Sequence, residues 1–147
     1  MLTVQICRIP GNEDISLPEK MSTGASGFDL CAAVTEELLL QPGEWKLVPT
    51  GICIAMPEHL EAQVRPRSGL AFKHGISMLN SPGTIDADYR GEIKVIMVNF
   101  GDKPFRVNRG DRIAQLVFQE VAKVHLEQVK ELVSTVRGAG GFGHTGV

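Results

Sequence analysis

The sequence predicts an all-β domain, a barrel or sandwich of short strands. Three observations predict it. Sixteen glycines and eight prolines in 147 residues cut the chain into pieces too short for long helices. The pieces between these breaks are of strand length and rich in β-branched residues. With 43% hydrophobic and 22% charged residues, the chain carries enough apolar material for one core.

Taken in order, residues 4–9, 52–56, 61–65, 76–79, 92–100, 105–107 and 113–121 read as strands. Within 92–100, Ile93, Val95 and Met97 alternate with Glu92 and Lys94, which describes a half-buried start. The unbroken apolar run 95–98 implies cover on both faces further on. One short helix fits: Ser68 caps it, Leu70, Ala71 and Phe72 fill a turn or two, and Gly75 stops it after Lys73 and His74. Residues 124–136 allow two readings. Leu126, Val129, Leu132 and Val133 form a helical stripe, whereas length and neighbours suggest a further strand. The segment 137–146, RGAGGFGHTG, holds five glycines and forms no packed element alone. The expected organisation is a β domain over 1–136 and a flexible glycine-rich C-terminal arm over 137–147.

Composition also excludes whole classes. The longest apolar runs, such as 30–34 and 52–56, fall far short of the ~20 residues of a membrane span. The opening MLTVQICRIP has no basic segment followed by an apolar stretch, so no export signal is expected. Cys7, Cys31 and Cys53 are odd in number and far apart in sequence, forming neither a disulfide frame nor a metal knuckle. That suits a reducing cytoplasm. Fifteen Lys and Arg against seventeen Asp and Glu give a net charge of −2, which argues against binding polymeric nucleic acid over a broad surface.

Five segments carry groups suited to chemistry. In the tail, glycine N–H groups can wrap oxygens, Arg137 can pair with phosphate and Phe142 can stack on a base; a plain disordered terminus has the same composition. In RPRSGLA (65–71), Arg65, Arg67 and Ser68 sit at a helix start that attracts anions, or they form a simple capped turn. In NSPGTIDADYRGEI (80–93), which holds Asp86, Asp88 and Tyr89, the sole tyrosine, either carboxylate could orient and deprotonate a water; turn chemistry also uses Asp and Asn. ASGFDL (25–30) offers Asp29 as a magnesium ligand or turn residue, and RIAQL (112–116) offers Gln115 as a polar site group or outward strand residue. His59, His74 and His125 have no metal or dyad spacing.

Taken together, in this order and spacing, the segments 25–30, 66–71, 83–93, 112–115 and 137–146 closely resemble the five motifs of the all-β dUTPases, the deoxyuridine triphosphate nucleotidohydrolases. The resemblance implies a jelly-roll-like fold and a homotrimer whose active sites lie at subunit boundaries. It implies hydrolysis of dUTP to dUMP and pyrophosphate with Mg²⁺, which limits uracil in DNA and supplies the thymidylate precursor. By position, Asp86 matches the residue that directs water at the α-phosphorus, and Gln115 a polar group near that phosphate. Tyr89 matches the ring beneath deoxyribose that leaves no room for a 2′-hydroxyl. Asn80, Thr84, Ile85, the Asp86 backbone and Lys94 match the uracil-recognising hairpin, and Arg67, Ser68 and Gly69 the phosphate loop. Asp29 matches a residue that holds magnesium through water. Arg137 and Thr145 match tail contacts to the terminal phosphates, and Phe142 the ring that stacks on uracil.

The resemblance also brings an alternative, the dCTP deaminases of the same fold. Against them, 83–93 looks like a uracil hairpin, and no separate acid/base group is evident for the C4 position of cytosine. A non-catalytic binding module would carry damaged motifs, and all five keep their main chemical groups. His144 departs from the pattern by standing where a small hydroxyl residue is common, so no direct phosphate contact is expected from it.

Overall fold

The computed structural model describes residues 2–142. Among these, the chain runs through β1 (Gln5–Arg8), β2 (Phe28–Cys31), β3 (Leu38–Leu40), β4 (Trp45–Pro49), β5 (Ile52–Ala55) and β6 (Leu60–Arg65). It continues through α1 (Ser68–His74), β7 (Ile76–Met78), β8 (Gly83–Ile85), β9 (Lys94–Asn99), β10 (Phe105–Val107) and β11 (Arg112–Glu120). All pairings are antiparallel. A four-stranded sheet has the order β2-β11-β6-β8 and a three-stranded one β4-β9-β7, with two ribbons, β1-β5 and β10-β3. The fold is all-β and jelly-roll-like.

Every strand expected from the sequence is present, within two residues of its expected ends. Four were not expected: β2, β3, β4 and β8. β3 is Leu-Leu-Leu, without alternation or β-branched residues, and β8 is a Gly-Thr-Ile that reads as part of a turn. Ser68 is the first helical residue rather than the cap. Arg67 holds the N-cap position, and no side chain bonds there. Residues 124–136 take neither of the two forms expected of them: they form no strand or helix and are exposed throughout. No helix among the described residues is long and apolar enough to cross a membrane.

One main core collects the inward faces of the sheets, with Leu30, Val48, Ile54, Ala62, Val64, Met78, Val95, Met97, Ile113 and Leu116 all in it. β6 shows the logic most cleanly. Leu60, Ala62 and Val64 point in, and Glu61, Gln63 and Arg65 point out. α1 ends at Gly75, in the left-handed region at φ 67, where a Cβ would meet the Gly101 backbone at 2.6 Å. Glycine is therefore required there on two counts.

Asn99 is the fully buried polar side chain at the end of β9. Its amide donates to the Leu40 carbonyl at 2.9 Å and the Lys103 carbonyl at 2.8 Å, and its oxygen accepts from Gly101 N–H at 2.9 Å. One side chain thus ties β3, β9 and the turn into β10. Asn99→Ala leaves those main-chain groups unpaired in the interior and is expected to cost about 2–4 kcal/mol. Urea unfolding followed by the fluorescence of Trp45, the sole tryptophan, measures this; a loss below about 1 kcal/mol contradicts it.

Candidate active site

Three neighbouring strands form one polar row. Gln115 on β11 is directly opposite Asp29 on β2 and Arg65 on β6. The alignment depends on a β-bulge. Arg112 pairs with Cys31 but Ala114 with Leu30, so one extra residue is inserted between them. Ile113 and Ala114 are consequently both buried, and Gln115 comes level with Asp29. The Gln115 amide donates to the Pro66 carbonyl at 3.0 Å, which fixes it against the loop into α1. Gly27 leaves the space: a Cβ there would collide with the Gln115 Oε1.

The Asp29 carboxylate is 14% exposed and sits between two guanidinium groups, Arg67 Nε at 3.4 Å and Arg112 at 3.2 Å. Arg67 also donates to the Arg112 carbonyl at 2.9 Å, so the loop before α1 is held to the start of β11. Two cations on one anion leave a net positive charge beside exposed Ser68 and Gly69. Next to Asp29, burial pushes the Cys31 thiol up from its ordinary range, and the Asp29 charge adds to this. Cys31 is a neutral thiol at pH 7.

A second group of predicted residues lines a cavity of about 190 Å³: Thr84, Ile85, Asp86, Tyr89 and Lys94, with Glu92 and Ile93. Tyr89 donates its hydroxyl to the Glu92 carbonyl at 2.9 Å, fixing its ring. Its N–H closes the Asp86–Tyr89 turn on the Asp86 carbonyl at 3.1 Å. Sequence reading missed Glu92, which it treated as the solvent side of a strand. Its carboxylate accepts from Gly51 N–H at 3.0 Å and pairs with Lys94 at 3.5 Å, anchoring the hairpin to the β4–β5 turn. The available signal was its position between the tyrosine turn and Lys94. Asn80 is exposed at the entry to β8, with its amide beside Gly83.

These two groups lie off opposite ends of β6. Ile85 is opposite Ala62 and Gly83 opposite Val64, so Asp86 leaves β8 towards Glu61, while Arg67 lies beyond Arg65. The six residue steps from Glu61 to Arg67 span roughly 20 Å of extended chain. A single chain therefore does not bring Asp86 and Tyr89 up to Arg67 and Gln115. In the tail, Arg137 bonds the Gly140 carbonyl at 2.8 Å and Phe142 is exposed. Thr145 and His144 lie outside the described residues. His74 packs against Phe105 with ring centroids 5.2 Å apart and planes tilted by 52°. No cluster of three or more His, Cys, Asp or Glu able to hold a metal occurs among the described residues.

Comparison with known proteins agrees with the five motifs. The family model for dUTPase matches residues 13–146. The deoxyuridine 5′-triphosphate nucleotidohydrolase of Mesorhizobium japonicum is 55% identical over 146 residues, covering 98% of this chain and 91% of the relative. That of Neorickettsia sennetsu is 54% identical over 142 residues, covering 97% and 95%. Among solved structures, the dUTPase of Staphylococcus bacteriophage 80alpha with dUPNHPP superposes with a TM-score of 0.88 at 26% identity, covering 99% of both chains. The motifs, the jelly-roll-like fold and these matches lead to one assignment: the chain belongs to the dUTPase family.

Proposed function

We propose that this chain hydrolyses dUTP to dUMP and pyrophosphate, as a cytoplasmic homotrimer that uses Mg²⁺. The observation that carries the reading is the cavity in which Asp86 and Tyr89 meet Thr84, Ile85 and Lys94, in a chain of this family. β8 is an edge strand, so the main-chain groups on its outer side are free. Uracil offers acceptor, donor and acceptor along one edge, and a strand edge with Asn80 matches that pattern. Cytosine would leave buried groups unpaired. The Tyr89 ring, held by its bond to the Glu92 carbonyl, forms the sugar platform and excludes a 2′-hydroxyl.

Asp86 accepts the proton of the attacking water, and the α-phosphate lies against Gln115. Arg67, with the N–H groups of Ser68 and Gly69, takes up phosphate charge, which is most of what phosphoryl transfer asks of a protein. Asp29 suits a magnesium ion held through water. It is one carboxylate already shared by two arginines, which fits outer-sphere contact and not a dedicated cage. The ion, bound to substrate phosphates, would neutralise their charge. Arg137, Phe142 and Thr145 in the arm 137–147 close over phosphates and uracil, beyond the β domain of 1–136.

The separation along β6 supports assembly, with a second copy supplying Arg67, Ser68 and Gln115 to the cavity. Two apolar surfaces support such contacts. The outer face of β4-β9-β7 presents Trp45, 59% exposed, and the row Leu47–Ile96–Leu79, with Leu47 55% and Leu79 49% exposed. Lys94 lies at the end of that face, beside the cavity. Val124, Leu126, Leu132 and Val133 form a second exposed apolar series on the segment after β11.

The direct test is a product assay with Mg²⁺ and, separately, dUTP, dCTP, dTTP and UTP. dUMP and pyrophosphate from dUTP alone are expected; deamination of dCTP would move the assignment to the alternative enzyme on this fold. Asp86→Asn is expected to bind dUTP normally and turn over about 10²–10⁴-fold more slowly, and near-normal kcat would remove it as the base. Gly27→Ala is expected to stay folded while kcat drops at least about tenfold, because its methyl group displaces Gln115; unchanged kinetics would detach Gln115 from the reaction. Removal of residues 137–147 is expected to leave a trimer by sedimentation with very low turnover.

A further inference from the structure

Cys7 and Cys53 are remote in sequence but sit directly opposite each other in the ribbon of β1 and β5. Opposed residues of an antiparallel pair point to the same face. Two positions along, Ile9 N–H donates to the Gly51 carbonyl at 2.8 Å. Cys7 and Cys53 therefore occupy a hydrogen-bonded pair site, where Cα atoms are about 5.5 Å apart. That separation falls at the commonest value for native disulfides, about 5.5–6 Å. The Cβ atoms of such a pair begin roughly 1 Å too far apart for a relaxed bridge. Among the described residues β1 pairs with no strand but β5, so the twist that closes this gap breaks no other strand pairing of β1. Cys7 is exposed, Cys53 half-buried, and Cys31 buried on β2.

We propose that Cys7 and Cys53 form a reversible modification site, an intramolecular disulfide made by exchange with a low-molecular-weight disulfide. The Cys7 thiolate attacks one sulfur of the reagent and releases one small thiol. Cys53 loses its proton to solvent, attacks the Cys7 sulfur of the mixed disulfide and releases the second. Two electrons pass from the two cysteines to the reagent, and one S–S bond replaces another. Burial, with the Cys7 thiol beside it, pushes the Cys53 thiol up, so the second step is faster at pH 8–9 than at 7. The bridge staples an edge strand to β5. Ile52, next to Cys53, accepts the Ile93 N–H at 2.9 Å, at the wall of the Asp86 cavity.

The test incubates the full chain with oxidised glutathione at pH 8. Expected are a mass lower by about 2 Da, one of three thiols left on denaturation, and a Tm higher by about 5 °C or more that dithiothreitol reverses. Cys7→Ser and Cys53→Ser abolish all three changes, and Cys31→Ser leaves them intact. A lasting glutathione adduct on Cys7, a disulfide-linked pair of chains on non-reducing electrophoresis, or three surviving thiols would overturn the proposal. None of these readouts depends on nucleotide hydrolysis.

Discussion

The placement of the site depends on β6 more than on any other element. It pairs with β11 over six positions on one side and with β8 over three on the other. Arg67, Ser68 and Gly69 follow its last residue, the hairpin hangs from its edge, and Gln115 and Asp29 lie in register beside its end. Its register has no latitude. A slip by one residue would drive Glu61, Gln63 and Arg65 into the core and expel Leu60, Ala62 and Val64. The outward side chains reinforce the choice through a chain of bonds, Gln63 to Glu61 at 2.6 Å and Arg65 to Gln63 at 2.7 Å.

That fixed register has two consequences for chemistry. Beside its C-terminal end, a polar row crosses three strands, levelled by the bulge at Ile113 and held open by Gly27. Asp29 does not neutralise this corner, because Arg67 and Arg112 together outweigh it. The carboxylate instead orients both guanidinium groups and leaves surplus positive charge facing outward, the sign that a polyphosphate requires. Beyond the other end, Asp86 lies in a turn closed by its own main chain and by Tyr89. Asp86 and the Arg67–Arg112 pair are thus kept apart by the strand that organises both.

Much of this was legible in the residues, for identifiable reasons. β6, β9 and β11 are long enough for alternation to show, and their ends were read to within two residues. β3 is Leu-Leu-Leu, with no alternation or β-branched residue, and β8 is a Gly-Thr-Ile inside a turn-rich segment, so the pairing of each is decided by its partner strand rather than by its own residues. Asp86, Tyr89, Arg67 and Gln115 were singled out in the motifs, and Lys94 just after one, but their division between two ends of a strand is a fact of register. The same is true of Glu92, whose partner Gly51 is 41 residues away. It is true of Cys7 and Cys53, whose opposition exists only once β1 and β5 pair. Residues 124–136 misled both readings because their apolar pattern answers to no surface within the same chain.

That last point bears on why such a sequence persists in the proposed homotrimer. An isolated chain that exposes Trp45, Leu47, Leu126, Leu132 and Val133 carries an aggregation hazard, and a soluble monomer gains nothing from it. The hazard becomes an advantage when the same surfaces meet other copies of the chain, since closed symmetry gives each subunit the same contacts and leaves no interface patch unpaired. The outer face of β4-β9-β7 ends at Lys94, so burying it brings a neighbour to the rim of the Asp86 cavity. Hydrophobic association and catalytic completion are then one event. The roughly 20 Å that β6 imposes within a chain ceases to matter, because the missing cations arrive from another copy.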